Sequence, residues 1–221
     1  MATPFADRVS AGRELAQAVR KLRLRPPLSV LALPRGGVPV ALEVARALHA
    51  PLDVLVVRKL ASPMQPEFAI GALAAGGITV YDSPQTSPGW EMPALAPLVH
   101  HEEVELKRRE RLYRAGSPPL NLEGRTAILV DDGLATGCTM IAAVRAARRA
   151  GAVLVIAAAP VASDVAAARV QQEADRSVFL NIPFELLSVG EWYEEFSQLT
   201  DAEVLELLKQ ARTEIQVADE R

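Results

Sequence analysis

A single cysteine, Cys138, is all the chain contains. That excludes an internal disulfide and any zinc site built from cysteines, and it fits a reducing compartment. Aromatic residues are scarce too, at 5%, so a cluster of them calls for a reason. Neither sign of charge dominates. The net charge of −3 gives no general attraction to nucleic acid or anionic membrane, although it leaves room for a local basic patch. No run approaches the ~18 consecutive apolar residues of a membrane span. Asp7 and Arg8 stand where a signal peptide would need its apolar core. There is no internal repeat and no clear linker. What is present is a chain of 221 residues, half of them apolar, enough for one domain with an ample core. The expectation is a cytoplasmic protein without membrane or nucleic-acid partners.

Hydrophobic spacing predicts a helix over residues 5–22, ended by Pro26 and Pro27. LSVLAL, Leu28 to Leu33, reads as a central strand and runs into the loop PRGG, Pro34 to Gly37. A helix from about Val38 to Leu48 leads to a second apolar strand, Leu52 to Val57. Strand, glycine loop, helix and strand make a βαβ unit, hence parallel pairing. Arg58 and Lys59 follow directly at that strand's end. Phe68 to Asp82 reads as a hairpin turning at Gly76 and Gly77. Next comes a Pro-rich connection from Ser83 to Pro97, long enough to suggest a lid between Tyr81 and Leu95. A charge-dense helix spans about Ala94 to Arg114. After it come a strand at Ala127 to Val130, another at Ala152 to Pro160, and a helix to Ala174 with Asp164 as its cap. An irregular stretch, Ser177 to Phe196, precedes a final amphipathic helix from Asp201.

The chemistry concentrates in ILVDDGLATGCTM, Ile128 to Met140. A buried strand delivers two adjacent carboxylates, Asp131 and Asp132, into a small-residue loop that opens a helix. Loop amides and the positive helix end suit a phosphate, and the Thr136 and Thr139 hydroxyls can donate as well. Carboxylates beside that loop would repel phosphate, so they suit an uncharged, hydroxyl-rich neighbour such as ribose. The stretch lacks the lysine of a Walker A loop, and the chain has no early GxGxxG. The plain alternative is a strand–turn–helix whose acids only cap the turn.

VDDGLATGCTM resembles the phosphoribosyl-pyrophosphate-binding motif of the type I phosphoribosyltransferases. LALPRGGVPVA, Leu31 to Ala41, is similar to that family's pyrophosphate loop, and VVRKL, Val56 to Leu60, to its basic strand end. The order of elements also matches from Leu28 to about Phe196, most closely for predicted bacterial members whose base specificity is unassigned. The resemblance implies an α/β fold: a central, mostly parallel twisted sheet flanked by helices, with a β-hairpin and flexible loop and a small C-terminal hood. It implies one domain over residues 1–221, with a core at about 28–175. The hood would comprise about 177–200 plus the N-terminal helix 5–22, and a C-terminal helix 201–218 would follow. It assigns Asp131 and Asp132 to the ribose hydroxyls and, directly or through water, to Mg²⁺. Ala135, Thr136, Gly137, Cys138 and Thr139 would wrap the 5-phosphate. Arg35, Gly36 and Gly37 would hold pyrophosphate in a loop that often has a non-proline cis peptide. Arg58 and Lys59 would neutralise the leaving group, and Arg35 and Lys59 would join the two acids in catalysis. The implied activity is transfer of a 5-phosphoribosyl group from phosphoribosyl pyrophosphate to a nitrogenous base, or the reverse reaction on a nucleotide. A non-catalytic regulator binding the same ligand, and related chemistry such as phosphorolysis, are the alternatives.

Other clusters are less specific. His100 and His101 are adjacent on a predicted helix, about 100° apart, which makes joint metal ligation awkward. HHEEV also fails HExxH, so a solvated face is the better reading. Lys107, Arg108, Arg109 and Arg111 could swing toward phosphate or meet a partner subunit, and a homodimer stays open. Trp192 and Tyr193, with Phe196, are candidates for a base pocket, or for packing in the hood or a dimer interface. Cys138, within the phosphate loop, suits alkylation that blocks binding better than thiol catalysis.

Overall fold

A computed structural model of the chain describes residues 4–61, 69–82 and 92–219. Most of the expected lid, residues 83–91, falls outside these. Five strands form one sheet: β1 (Leu28–Ala32), β2 (Leu52–Val54), β6 (Thr126–Val130), β7 (Leu154–Val161) and β8 (Arg176–Asn181), in the order β2-β1-β6-β7-β8. Every pairing in it is parallel. A smaller antiparallel sheet joins β3 (Val57–Ala61), β4 (Ala69–Ala74) and β5 (Ile78–Tyr81).

The main sheet is buried on both faces, which is why its strands read as unbroken apolar runs. Val30, Ile128 and Ile156 point to one side, into a core shared with α1 (Arg8–Arg20), α2 (Gly37–Leu48) and α6 (Asp201–Asp219). Leu31, Leu129 and Val155 point to the other, against α4 (Cys138–Arg149) and α5 (Asp164–Glu173). Gly12 lets α1 close onto α2, because an added Cβ would lie 2.9 Å from the Val40 carbonyl oxygen. The remaining helix, α3 (Met92–Tyr113), contacts β3, β4 and α6. Among the described residues no helix is long and apolar enough to cross a membrane.

Several sequence expectations are corrected. The first helix starts at Arg8, not near residue 5. Asp7 caps it in a capping box, accepting from the Ser10 amide at 2.6 Å and donating from its own amide to Ser10 Oγ at 3.0 Å. Phe5 instead forms a parallel bridge with Tyr193. The apolar run Leu52 to Val57 is two strands, β2 in the main sheet and the start of β3 in the smaller one, so Arg58 and Lys59 lie inside β3. Apolar runs carry no mark of which sheet they join. Pro97 sits within α3 and not in the connection before it. Ser163, not Asp164, caps α5, its Oγ accepting from the Ala166 amide at 3.0 Å. Residues 176–181 form the fifth strand, so the irregular stretch begins after Asn181. The hairpin turn at Gly76 and Gly77 is as expected, both glycines having φ near +75°.

Candidate active site

The chain leaves β1 toward β2 on one side, and runs from β6 to β7 and β8 on the other. Loops after β1 and β6 therefore diverge, and a crevice opens at the carboxyl ends of these two neighbours. PRGG occupies the β1 side and the acidic loop the β6 side. The Pro34–Arg35 peptide is cis, the non-proline cis bond expected in this loop.

Close packing, not unusual φ, explains the two glycines. Gly36 has an ordinary φ of −60°. A Cβ there would lie 1.8 Å from Asp132 Oδ2, and one at Gly37 would lie 2.6 Å from the Val130 carbonyl oxygen. The glycine loop and the acidic loop thus share a wall.

The two acids differ. Asp131 accepts from the Asp132 amide through Oδ1 at 2.9 Å. Burial, reinforced by the charge of Asp132, pushes its carboxyl well above the ordinary range, and Lys59 opposes that shift. Asp132 has its own cation: Arg8 Nε donates to Oδ2 at 2.8 Å. The Arg8 guanidinium lies 3.8 Å from the Phe196 ring centroid, and its Nη1 donates to the Ser197 carbonyl at 2.9 Å.

The phosphate loop is held from behind. Ser163 Oγ donates to the Ala135 carbonyl at 2.6 Å, and Arg169 Nη1 donates to the Thr136 carbonyl at 2.9 Å. Arg169 also pairs with Asp82 at the hairpin's end, and its Nη2 lies 3.5 Å from Cys138 Sγ. Gly137 makes the turn with φ +79°, and α4 starts at Cys138 with no side-chain cap. The Cys138 amide makes only a long hydrogen bond to Thr136 Oγ1, at 3.4 Å, which leaves the first turn open to an anion. Thr136 and Thr139 are part-buried beside it and Ala135 is exposed. Cys138 is buried, and burial pushes its thiol up, which disfavours the thiolate and the alkylation suggested above.

The predicted basic residues do not act as one group. Alternation along β3 sends Arg58 and Lys59 to opposite faces. Arg58 Nε donates to Glu102 of α3 at 2.7 Å, whereas Lys59 is exposed and near enough to Asp131 for its charge to be felt there. Arg35 Nη1 lies 3.5 Å from Asp201 Oδ1, at the start of α6, and that oxygen also accepts from Tyr113. Arg108 and Arg109 are engaged by Glu105 of their own helix, and His100 and His101 are exposed.

Tyr193 is not a free platform for a base. Its ring is 6% exposed, packed between Phe5 and Phe196 with centroids at 5.6 and 4.9 Å. Its hydroxyl donates to the Asp132 carbonyl at 2.6 Å. Trp192 is part-exposed, at the end of a short 3-10 helix, Val189–Trp192.

Sequence reasoning missed Arg8, Arg169, Ser163, Tyr113 and Asp201 as members of this region. The capping box Asp7–Ser10 is the one signal that could have placed Arg8 at a helix start. The others come together only through the tertiary fold.

A family model described as the phosphoribosyl transferase domain matches residues 7–198. The chain belongs to this family. A Mycobacterium tuberculosis H37Rv protein provisionally named a phosphoribosyl transferase is 44% identical over 208 residues, or 94% of this chain and 47% of the relative. The chain therefore spans about half the length of the curated relatives it matches. The crystal structure of TT1426 from Thermus thermophilus aligns with a TM-score of 0.78 and 39% identity, over 94% of this chain and 99% of that one. An adenine phosphoribosyltransferase from Mycobacterium avium is 39% identical over 64 residues, 29% of this chain and 36% of the relative. Within this phosphoribosyl transferase chain, the matched span takes in both loops, the hairpin and Arg8.

Proposed function

We propose that this chain is a phosphoribosyltransferase that uses phosphoribosyl pyrophosphate and Mg²⁺ to transfer a 5-phosphoribosyl group to, or from, a nitrogenous base. The observation that carries this reading is the wall shared by Gly36 and Asp132. It brings a glycine loop suited to pyrophosphate against acids suited to a sugar, with an uncapped helix start beyond them. Residues 1–221 would work as one domain. Asp131 and Asp132 accept from the ribose hydroxyls. Amides of residues 135–139 and the Thr136 and Thr139 hydroxyls take the 5-phosphate at the start of α4. Backbone at Arg35, Gly36 and Gly37 meets pyrophosphate, and Lys59 adds positive charge from the β3 face.

In the forward reaction a nitrogen lone pair of the base bonds to ribose C1, and a nitrogen that carries hydrogen gives up its proton to solvent. The C1–O bond to pyrophosphate breaks, and its electron pair departs on the pyrophosphate oxygen. The reverse reaction runs the same exchange backwards. Such a step needs positioning and neutralisation of the leaving group more than a strong base. The acids fit a magnesium site. Among the described residues no group of three or more His, Cys, Asp or Glu side chains could hold a metal, and Mg²⁺ commonly takes one or two carboxylates, with water and phosphate oxygens completing its shell. Bound there, the metal would supply positive charge against the developing pyrophosphate. Pyrophosphate would also compete with Asp201 for Arg35.

The test is incubation with labelled phosphoribosyl pyrophosphate, Mg²⁺ and a pool of bases. The partial likeness to an adenine phosphoribosyltransferase puts adenine first in that pool. Pyrophosphate release with a new nucleotide is the expected outcome. Tight binding without turnover across the pool would overturn catalysis in favour of a regulator.

A further inference from the structure

We propose that Arg8 is a positioning residue for sugar binding: it anchors one carboxylate oxygen of Asp132 so that the other is presented to the ligand. The inference rests on the phosphoribosyl reading above. Asp132 Oδ2 lies against Gly36 on one side and receives Arg8 Nε on the other, at 2.8 Å. Among the described residues no hydrogen bond reaches Oδ1. Arg8 and Asp132 side chains are only 11% and 15% exposed, so this is not a solvated surface pair of little consequence.

Three features distinguish an anchor from a plug that must leave. The guanidinium is stacked 3.8 Å above Phe196 and bonded to the Ser197 carbonyl, so its position does not depend on Asp132 alone. Arg8 is the first residue of α1, fixed there by the Asp7–Ser10 capping box. Tyr193 meanwhile bonds the Asp132 carbonyl from the same aromatic cluster. With Arg8 gone, a largely buried Asp132 carboxylate would be left without its cation and free to turn away from this orientation. Lysine would keep the charge but lose the planar stacking and the paired donors.

Calorimetric titration with two probes tests this in the full chain. Ribose 5-phosphate engages the acids and the phosphate loop, whereas inorganic phosphate engages the anion-binding loops without the acids. Arg8→Gln should weaken ribose 5-phosphate binding about tenfold or more, the usual effect of losing a supporting partner. It should leave inorganic phosphate binding unchanged, with Arg8→Lys intermediate. Unchanged or tighter sugar binding in Arg8→Gln overturns the proposal, and so does an equal loss for both probes. Should Arg8→Gln fail to fold, Arg8→Lys decides: a loss confined to the sugar supports positioning, and unchanged affinity overturns it. A wild-type protein that binds neither probe overturns the phosphoribosyl reading itself, an outcome distinct from failure of the Arg8 variants alone.

Discussion

At the scale of single residues, Asp131 and Asp132 are adjacent letters with different physics. Burial and its neighbour's charge raise the Asp131 carboxyl above its ordinary 3.8. A carboxyl raised in the folded state contributes stability that is fully present below that unfolded value and drains away as pH rises through the folded one. Asp131→Asn mimics the protonated form at every pH. Urea unfolding without ligand should therefore show wild type losing midpoint relative to Asp131→Asn as pH climbs from about 4. A difference independent of pH would contradict the shift. Gly36→Ala tests the shared wall, since its Cβ has no room beside Asp132 Oδ2. Relief of such overpacking should cost about 1–3 kcal/mol of stability, together with a clear loss of ribose 5-phosphate affinity by calorimetry. The glycines were legible as places of close approach, but not what they approach. That contact joins Gly36 to an acid in the other half of the chain, and no local pattern records it.

At the scale of elements, the smaller sheet is tied to the phosphate loop through Arg169 of α5. It pairs with Asp82 after β5 and donates to the Thr136 carbonyl. Arg169→Gln should weaken inorganic phosphate binding about tenfold, the equivalent of one lost charged hydrogen bond. Hydrogen exchange should also speed up together in residues 78–82 and 135–139. Acceleration in only one of the two would show that they are not coupled. The elements themselves were largely readable, because long apolar strands and amphipathic helices announce their periods. The misreadings fell where two apolar strands abut without a break, as at Leu52 to Ala61, and where polar residues compete to cap a helix, as at Ser163 and Asp164. Tyr193 was legible as an aromatic but not as a filled core position. Only its packing on Phe5 and Phe196 decides that.

At the scale of the whole molecule, strand order does what no residue can do alone. The chain adds strands outward from β1 on one side and from β6 on the other. At this switch in strand order the crevice opens, with the loops from those two parallel strands filling its sides. A ligand bridging both loops should bind the folded chain and not the unfolded one. At a hundred times its dissociation constant that contributes about 2.7 kcal/mol, and for a chain of this size the midpoint should rise by roughly 5–10 °C. Thermal unfolding with phosphoribosyl pyrophosphate and Mg²⁺ checks this, and a chelator should shrink the shift if the metal helps bridge the loops. The contact of Gly36 with Asp132 has a further consequence. Glycine loop and acid cannot move closer, so on the proposed reading the site has a minimum span. It would reject sugars whose hydroxyls and anomeric leaving group need a shorter one, however well each half fits alone.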